Sequence, residues 1–267
     1  MSSYVITGAA RGIGFEFVRR FALKSENTVF ALVRSRKNDQ KLVEMGAKNV
    51  YILEADITDV KALKIAAAEV KKVTGGSLDY LINNAAFVEA TRKNNNLDGY
   101  PEGQDDLLEK DLHDSFNTNV VGVVHTINAF LPLLRRGTAK KVITLSSGMG
   151  DAELVLKSGL SNQAPYAISK AALNMVVAKY AAEYKAEGLV FLTISPGLVD
   201  TSTKAPTPEE MKAYLEMLAY FRIISPSFEG PITPEKSVSM MIKVIDRWAV
   251  EDTGAFVSHY GNNHQWL

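Results

Sequence analysis

The residues best suited to chemistry are a tyrosine and a lysine four positions apart, Tyr166 and Lys170. On a helix, side chains at i and i+4 lie on one face, so the ammonium can approach the phenol. A free tyrosine has a pKa of about 10 and is a poor acid or base at neutral pH, whereas a neighbouring cation favours the phenolate. Alone, such a pair is usually an ordinary feature of a helix surface, so it needs other motifs to indicate catalysis.

A glycine-rich string, residues 7–14 with the sequence TGAARGIG, lies between the first predicted strand and the first predicted helix. In that position glycines allow close backbone approach, and a dinucleotide's pyrophosphate can sit on the helix N-terminus. The spacing departs from the G-x-G-x-x-G fingerprint. A plain glycine-rich turn between a strand and a helix is the alternative interpretation.

The residue that follows the second predicted strand indicates whether the fold prefers NAD(H) or NADP(H). Folds that prefer NAD usually place an acidic residue there to hold the ribose hydroxyls. Here the strand ends at Arg34, no acid follows until Asp39, and Arg11 adds a second cation. Two guanidiniums suit a 2′-phosphate, which favours NADP(H) over NAD(H). Two solvated surface arginines are the alternative.

These motifs need elements that hold them, and the sequence alternates short apolar strands with helix-period segments. The pattern predicts an α/β fold with a parallel sheet covered on both faces, in one domain spanning residues 1–267. The predicted strands are 4–6, 28–33, 49–53, 78–82, 141–145, 190–194 and 255–257. The predicted helices are 12–23, 38–45, 61–73, 107–134, 166–186 and 237–248.

The alternation breaks after Ser195, where six of the nine prolines lie before Glu235. One amphipathic segment within this interval predicts a helix. Its apolar face comprises Met211, Tyr214, Leu215, Leu218 and Phe221. We expect an excursion from the sheet there rather than a second domain.

Composition excludes several classes of protein. The chain has no cysteine, so it has no disulfide, thiolate nucleophile or zinc-thiolate site. Its 30 basic and 30 acidic residues give no basic stripe for a nucleic acid. The apolar stretch 120–134 is too short and polar to span a membrane, and no basic region of a signal peptide precedes the first strand. We expect a cytoplasmic protein, and the spacing of its four histidines predicts no metal site.

Further motifs follow the later strands in a fixed order. They are Asn83-Asn84-Ala85-Ala86, Asn119 within Asn117-Thr118-Asn119-Val120, Ser146-Ser147, and Pro196-Gly197-Leu198-Val199-Asp200-Thr201. With the glycine string and the Tyr166–Lys170 pair, they make the whole chain resemble the short-chain dehydrogenase/reductase family. Within it, the chain is most similar to carbonyl reductases of the sniffer and C-factor type and to fungal ketoreductases.

The resemblance implies a three-layer, doubly wound Rossmann-type sheet and a catalytic set of Asn119, Ser147, Tyr166 and Lys170. Tyr166 would protonate the carbonyl oxygen, and Lys170 would hold the nicotinamide ribose and lower the pKa of the tyrosine. The family's spacing to Gly150 selects Ser147, rather than the neighbouring serine, as the donor to the substrate oxygen. Asn119 would stabilise its helix and anchor the water of a proton relay.

The resemblance also implies the cofactor contacts and a substrate lid over residues 201–232. Phosphate contacts would come from Gly8, Arg11, Gly12, Ile13 and Gly14, the 2′-phosphate contact from Arg34, adenine contacts from Asp56 and Ile57, ribose contacts from Asn83 and Ala85, and carboxamide contacts from Val199 and Thr201. Tyr166 and Lys170 would also touch the cofactor. Ala86 replaces the family's usual glycine, which adds a methyl group near the cofactor.

The function expected from these residues is NADPH-dependent reduction of a bulky, apolar ketone or aldehyde, as in a secondary-metabolite ketoreductase. Two alternatives stay open: cyclisation or isomerisation on the same fold, and a non-catalytic NADP(H)-binding sensor. We expect no nucleic-acid or membrane partner. A homodimer or homotetramer is the default expectation from the family.

Overall fold

A computed structural model describes residues 1–92, 94–202 and 207–267, which contain one sheet of seven strands in the order β3-β2-β1-β4-β5-β6-β7. The strands are β1 (Ser3–Thr7), β2 (Thr28–Val33), β3 (Val50–Glu54), β4 (Tyr80–Asn83), β5 (Lys141–Leu145), β6 (Val190–Ser195) and β7 (Phe256–Ser258). All six neighbouring pairs are parallel. Each predicted strand is therefore found, and no end differs from its predicted position by more than two residues.

Nine α-helices lie within the described residues. They are α1 (Gly12–Ala22), α2 (Gln40–Glu44), α3 (Val60–Thr74), α4 (Asp105–Phe116), α5 (Gly122–Leu134), α6 (Ala152–Ser158), α7 (Ala164–Tyr184), α8 (Pro208–Ile224) and α9 (Pro234–Arg247). None of these helices combines the length and the apolar character needed to cross a membrane.

Both faces of the sheet are covered. Val5 enters a hydrophobic cluster that α3, α5 and α7 complete, whereas its neighbour Ile6 enters the cluster completed by α1, α2 and α9. This alternation follows from the two-residue period of a strand, and it explains why the strands are apolar throughout. The predicted three-layer, doubly wound sheet is confirmed.

The predicted continuous helix 107–134 is wrong in one place. A π-helical turn over Asn117–Val121 separates α4 from α5. The turn places one extra residue in the helix. The side chain of Asn119, within this turn, hydrogen-bonds to the loop after β4 and to α7. A hydrophobic period does not record such an insertion, because its cause lies in other parts of the fold.

Helix α6 is missing from the predicted elements. It spans seven residues, and Asp151 caps its N-terminus by accepting a hydrogen bond from the backbone N–H of Leu154 at 2.7 Å. Gly159 ends it in the left-handed conformation, with φ of 73°. The sequence does contain an indication of this helix: an aspartate and a glycine lie eight positions apart, one on each side of Leu154.

The excursion after β6 contains α8, in agreement with the predicted amphipathic helix. Of its expected apolar face, Leu218 and Phe221 are buried, whereas Met211 and Leu215 are exposed. Residues 203–206 of the predicted lid lie outside the described residues. The two ends of the excursion meet where Val199 pairs with Ile232 in an isolated parallel bridge.

Candidate active site

Ser147 follows β5 at the carboxyl edge of the sheet. Its backbone is extended, and its Oγ accepts a hydrogen bond from the N–H of Met149 at 3.2 Å, which starts a short 3₁₀ turn over Gly148–Gly150. This turn packs closely on α7: a Cβ on Gly150 would lie 2.9 Å from the carbonyl carbon of Lys170. The absence of a side chain at Gly150 thus fixes the serine turn against the helix that carries the tyrosine and the lysine.

Tyr166 lies in the first turn of α7, and the hydroxyl of Ser147 is near its phenol. Burial raises the pKa of Tyr166 to about 12, and the nearby hydroxyl of Ser147 opposes that rise. The phenol therefore stays protonated at neutral pH. A protonated phenol held beside a serine hydroxyl can donate a proton to a substrate oxygen.

Lys170 is 2% exposed, and its Nζ donates a hydrogen bond to the carbonyl oxygen of Leu145 at 2.8 Å. The Nζ lies 5.5 Å from the ring centre of Tyr166. Burial lowers the pKa of Lys170 to about 7, so the lysine carries only part of its charge at neutral pH. The expectation that Lys170 lowers the pKa of Tyr166 is therefore not met here, because burial dominates at both side chains.

Asn119 is fully buried and joins three parts of the site. Its Oδ1 accepts from the N–H of Phe87 at 2.7 Å, and its Nδ2 donates to the carbonyl of Phe87 and to the Oγ of Ser169, both at 2.9 Å. Ser169 in turn donates to the carbonyl oxygen of Tyr166 at 2.7 Å. Asn119 thus locks the loop after β4 to the first turn of α7.

The glycine string forms a tight turn between β1 and α1. Gly8 and Gly12 adopt positive φ values of 65° and 56°, which favour glycine. A Cβ on Gly14 would overlap the carbonyl oxygen of Gly8. The first turn of α1 has no side-chain cap and no acidic residue, so its positive end is available to an anion.

Thr7 and Asn84, which are not among the predicted site residues, hold this glycine turn in place. Thr7 Oγ1 accepts from the backbone N–H groups of Asn84 and Ala85, both at 3.0 Å. The Nδ2 of Asn84 donates back to the carbonyls of Thr7 and Gly8, at 2.9 and 3.1 Å. A Cβ on Gly8 would lie 2.8 Å from the Cα of Ala85, so the glycine turn and the end of β4 are in contact.

Asn83 is 2% exposed and donates to the Oγ1 of Thr144 at 3.2 Å. Its buried Oδ1 has no partner in the part of the chain that the structure describes. A buried amide oxygen without a partner is costly, which fits a site that receives a polar ligand.

The two predicted phosphate-binding arginines, Arg11 and Arg34, are exposed at the same edge of the sheet. By contrast, Arg36 is engaged: it donates to the carbonyl of Ile52 at 2.8 Å and forms an ion pair with Asp39. Within the described ranges, no ion pair occupies either Arg11 or Arg34. Both guanidiniums are thus available to a phosphate.

The predicted adenine residues follow β3 and have different surroundings. Asp56 Oδ1 accepts from the backbone and the hydroxyl of Thr58, at 2.9 and 2.7 Å, which orders the turn. Ile57 is buried, and a Cβ on Gly122 would lie 2.9 Å from its Cγ1. The side chain of Ile57 therefore belongs to the core beneath the site.

The turn after β6 lies across the glycine turn. A Cβ on Gly12 would lie 3.1 Å from the Cγ2 of Thr201, and Val199 is held by the bridge to Ile232. Gly197, with φ of 80°, packs on His259, because a Cβ there would lie 2.7 Å from the imidazole. Burial, with a smaller contribution from Lys236, lowers the pKa of His259 to about 4, so this imidazole is neutral at physiological pH.

The C-terminal segment folds back beneath the serine turn. Trp266 is buried, its ring centre lies 4.6 Å from that of Phe256, and its Cβ would lie 3.3 Å from a Cβ on Gly148. Here it packs behind Ser147.

The predicted site residues thus gather at the carboxyl ends of the strands, on both sides of the β1–β4 boundary where the strand order reverses. Open α/β sheets bind ligands at this point. The glycine cradle, the uncapped helix end and the two unpaired arginines fit a phosphorylated dinucleotide. The described residues contain no cluster of His, Asp and Glu suited to a metal ion.

Comparison with known proteins agrees with this geometry. Residues 3–212 match the family described as short chain dehydrogenase. The short-chain dehydrogenase/reductase AacuF of Aspergillus aculeatus is 46% identical over 271 residues, and the short chain dehydrogenase virK of Hypocrea virens is 44% identical over 273; both alignments cover 100% of each chain.

Solved structures show the same fold. The NADPH-bound carbonyl reductase from chicken fatty liver has a TM-score of 0.77 at 28% identity, covering 98% of each chain. The carbonyl reductase Sniffer of D. melanogaster has a TM-score of 0.78 at 21% identity, covering 100% of each chain, a likeness of fold alone. The family match and the full-length relatives confirm the family indicated by the motifs: this chain belongs to the short-chain dehydrogenase/reductase family of oxidoreductases.

Proposed function

We propose that the protein reduces a ketone or aldehyde to an alcohol with NADPH, and that Tyr166 is the proton donor. The observation that carries the proposal is the proximity of Ser147, Tyr166 and the buried Lys170 at the edge of the sheet that also holds the glycine cradle. One hydroxyl can orient a carbonyl oxygen while the other protonates it.

The cofactor would be held by residues from several strand ends. Gly8, Gly12 and Gly14 leave room for the phosphates, and Arg34 supplies a cation for the 2′-phosphate. The NADPH carried by the chicken carbonyl reductase supports the same choice. When bound, NADPH supplies the hydride for the reduction. Thr201, which lies against Gly12, would close over the nicotinamide end.

The chain's own residues stabilise charge that develops late in the reaction. Negative charge grows on the carbonyl oxygen as the carbon is reduced, and donors aimed at that oxygen lower the barrier. The pKa of Tyr166, raised to about 12, keeps the phenol protonated until the oxygen needs its proton. Ser147 donates to the same oxygen. Asn119 keeps the tyrosine in register through Ser169.

The product distinguishes the proposed reduction from the two alternatives, which are cyclisation or isomerisation and a non-catalytic sensor. Reduction adds two hydrogen atoms to the substrate, whereas cyclisation or isomerisation leaves its mass unchanged, and a sensor gives no product. The bulky apolar substrate, the lid over residues 201–232, the cytoplasmic location and the homo-oligomer stay predictions from the sequence.

The test is Tyr166→Phe, which removes one hydroxyl and keeps the ring. We expect NADPH-dependent reduction to fall by about 10² to 10⁴, the usual contribution of a positioned proton donor, with NADPH affinity unchanged. The matched control is Tyr180→Phe on the same helix, since that hydroxyl donates to Asn128, away from the site. A Tyr166→Phe protein that forms the reduced product at the wild-type rate removes Tyr166 from the mechanism.

A further inference from the structure

Gln163, three residues before Tyr166, has an unfavourable backbone conformation. It precedes α7 with φ of 55° and ψ of 29°, in the left-handed region. In the described ranges only Lys140 and Gln163 have positive φ among non-glycine residues. Such conformations cost free energy for residues with a Cβ, and they persist where the surroundings enforce them, often at functional sites.

The side chain of Gln163 has no structural task in the part of the chain that is described. It holds the N-cap position of α7, where a side chain normally accepts a hydrogen bond from the helix, yet it makes no such bond. Instead it lines a small cavity together with Tyr166. Its amide, with two donor hydrogens and an acceptor oxygen, is available to a ligand.

A second polar group that lines this cavity has no partner among the described residues. Ser115 of α4 lines the cavity, is 1% exposed, and its Oγ has no hydrogen bond to any described residue. Buried hydroxyls are rarely left unsatisfied in proteins. Two polar side chains that line the cavity together with Tyr166 therefore indicate that the cavity accepts a polar group.

Hydrogen-bonded side chains hold the lining of the cavity in place. Its outer wall includes Arg92, whose guanidinium bonds through two nitrogens to the carboxylate of Asp111 at 2.7 and 2.8 Å. The hydroxyl of Tyr100 donates to the same carboxylate at 2.9 Å. Asp111 is 1% exposed, so this cluster holds the loop after β4 on α4.

The size of the cavity limits what it can take. Its volume is about 10 Å³, close to the space that one water molecule needs. A hydroxyl group fits this space, whereas a ring or a carboxylate does not. An oxygen there would lie next to Tyr166, which lines the same cavity.

We propose that Gln163 is a specificity-determining residue that hydrogen-bonds a hydroxyl oxygen next to the reacting carbonyl of the substrate. The substrate class is then a ketone or aldehyde with a hydroxyl group beside the carbonyl. This inference rests on the proposed carbonyl reduction. A site built to bind a hydroxyl discriminates against the analogue that lacks it, because its own polar groups are then left unpaired.

The test compares 1,4-naphthoquinone with 5-hydroxy-1,4-naphthoquinone, in which the hydroxyl lies beside one carbonyl. The absence of cysteine removes thiol arylation by these probes. For each variant, kcat/KM with NADPH and without oxygen is divided by the wild-type value for the same quinone, which cancels intrinsic reactivity. We expect Gln163→Leu to lose about tenfold on the hydroxylated quinone and little on the parent, and Gln163→Asn to restore part of the loss.

Gln163→Gly gives an independent measurement. Glycine relieves the left-handed backbone, so we expect its melting temperature to rise while the preference for the hydroxylated quinone is lost. The matched control is Lys140→Gly, which changes the other left-handed residue, with φ of 50°. It should raise the melting temperature without altering the preference.

Binding separates this inference from the proposed function. Quenching of tryptophan fluorescence gives the affinity of each quinone for the protein loaded with NADP⁺. A wild-type protein that binds the hydroxylated quinone more tightly than Gln163→Leu does, but reduces neither, supports the role of Gln163 and contradicts the proposed reduction. Equal losses on both quinones in Gln163→Leu, or no binding of either quinone to the wild type, overturn the inference.

Discussion

Replacing the buried lysine of the site should make the cofactor-free protein more stable at neutral pH. Burial lowers the pKa of Lys170 from 10.5 to about 7. Each pKa unit corresponds to about 1.4 kcal/mol, so the charged lysine costs the folded state about 5 kcal/mol. Methionine is similar in length and carries no charge, but it loses the hydrogen bond to Leu145, worth about 1.5 to 3 kcal/mol. We expect Lys170→Met to gain about 2 kcal/mol.

The gain should depend on pH in a defined direction. Between pH 7 and 10.5 the unfolded chain binds more protons at Lys170 than the folded chain does, so wild-type stability rises with pH in this window. The free-energy cost of burying the charged lysine reaches its full value below the folded pKa of about 7 and vanishes above pH 10.5. The advantage of Lys170→Met is therefore largest at pH 7 and below, and it shrinks or reverses near pH 9.5.

The assay is urea unfolding without cofactor at about pH 7 and about pH 9.5, followed by the fluorescence of Trp248 and Trp266. A gain of about 2 kcal/mol corresponds to about 5 °C in Tm for a chain of this size. The control is Lys179→Met, an exposed lysine on the same helix, which should change little at either pH. If Lys170→Met is less stable than the wild type by the same margin at both pH values, burial of charge is not what sets the pKa of Lys170.

Two further perturbations test the cofactor site and the loop beside it. Arg34→Asp should weaken NADPH binding by more than tenfold and NADH binding much less, measured by fluorescence titration, because it places a carboxylate against the 2′-phosphate; equal losses for both cofactors would show that Arg34 lies elsewhere. Asp111→Asn should lower the Tm by about 4 °C at neutral pH, because Arg92 loses its charged partner. The pKa of Asp111 is lowered chiefly by Arg92, so this difference should disappear as the pH falls below 4; a difference that persists in acid would contradict the ion-pair explanation.

The sequence alone determined the architecture and the order of the motifs. The strands could be predicted because near-continuous runs such as Thr28–Val33 are buried on both faces, and burial on both faces is recorded in local composition. The glycine string could be placed for a similar reason, since Gly8 and Gly12 adopt backbone angles that other residues avoid. The motif order then indicated the family.

The tertiary structure decided what depends on contacts between distant segments. The π turn at Asn119 exists because its amide bonds to Phe87 and to Ser169, which are 32 and 50 residues away. Burial raises the pKa of Tyr166 and lowers the pKa of Lys170, and that burial is set by the serine turn and the strands around them. No local pattern records how deeply a side chain is buried by segments far away in the chain. Burial and long-range bonding are properties of the folded chain, so only the structure could reveal them.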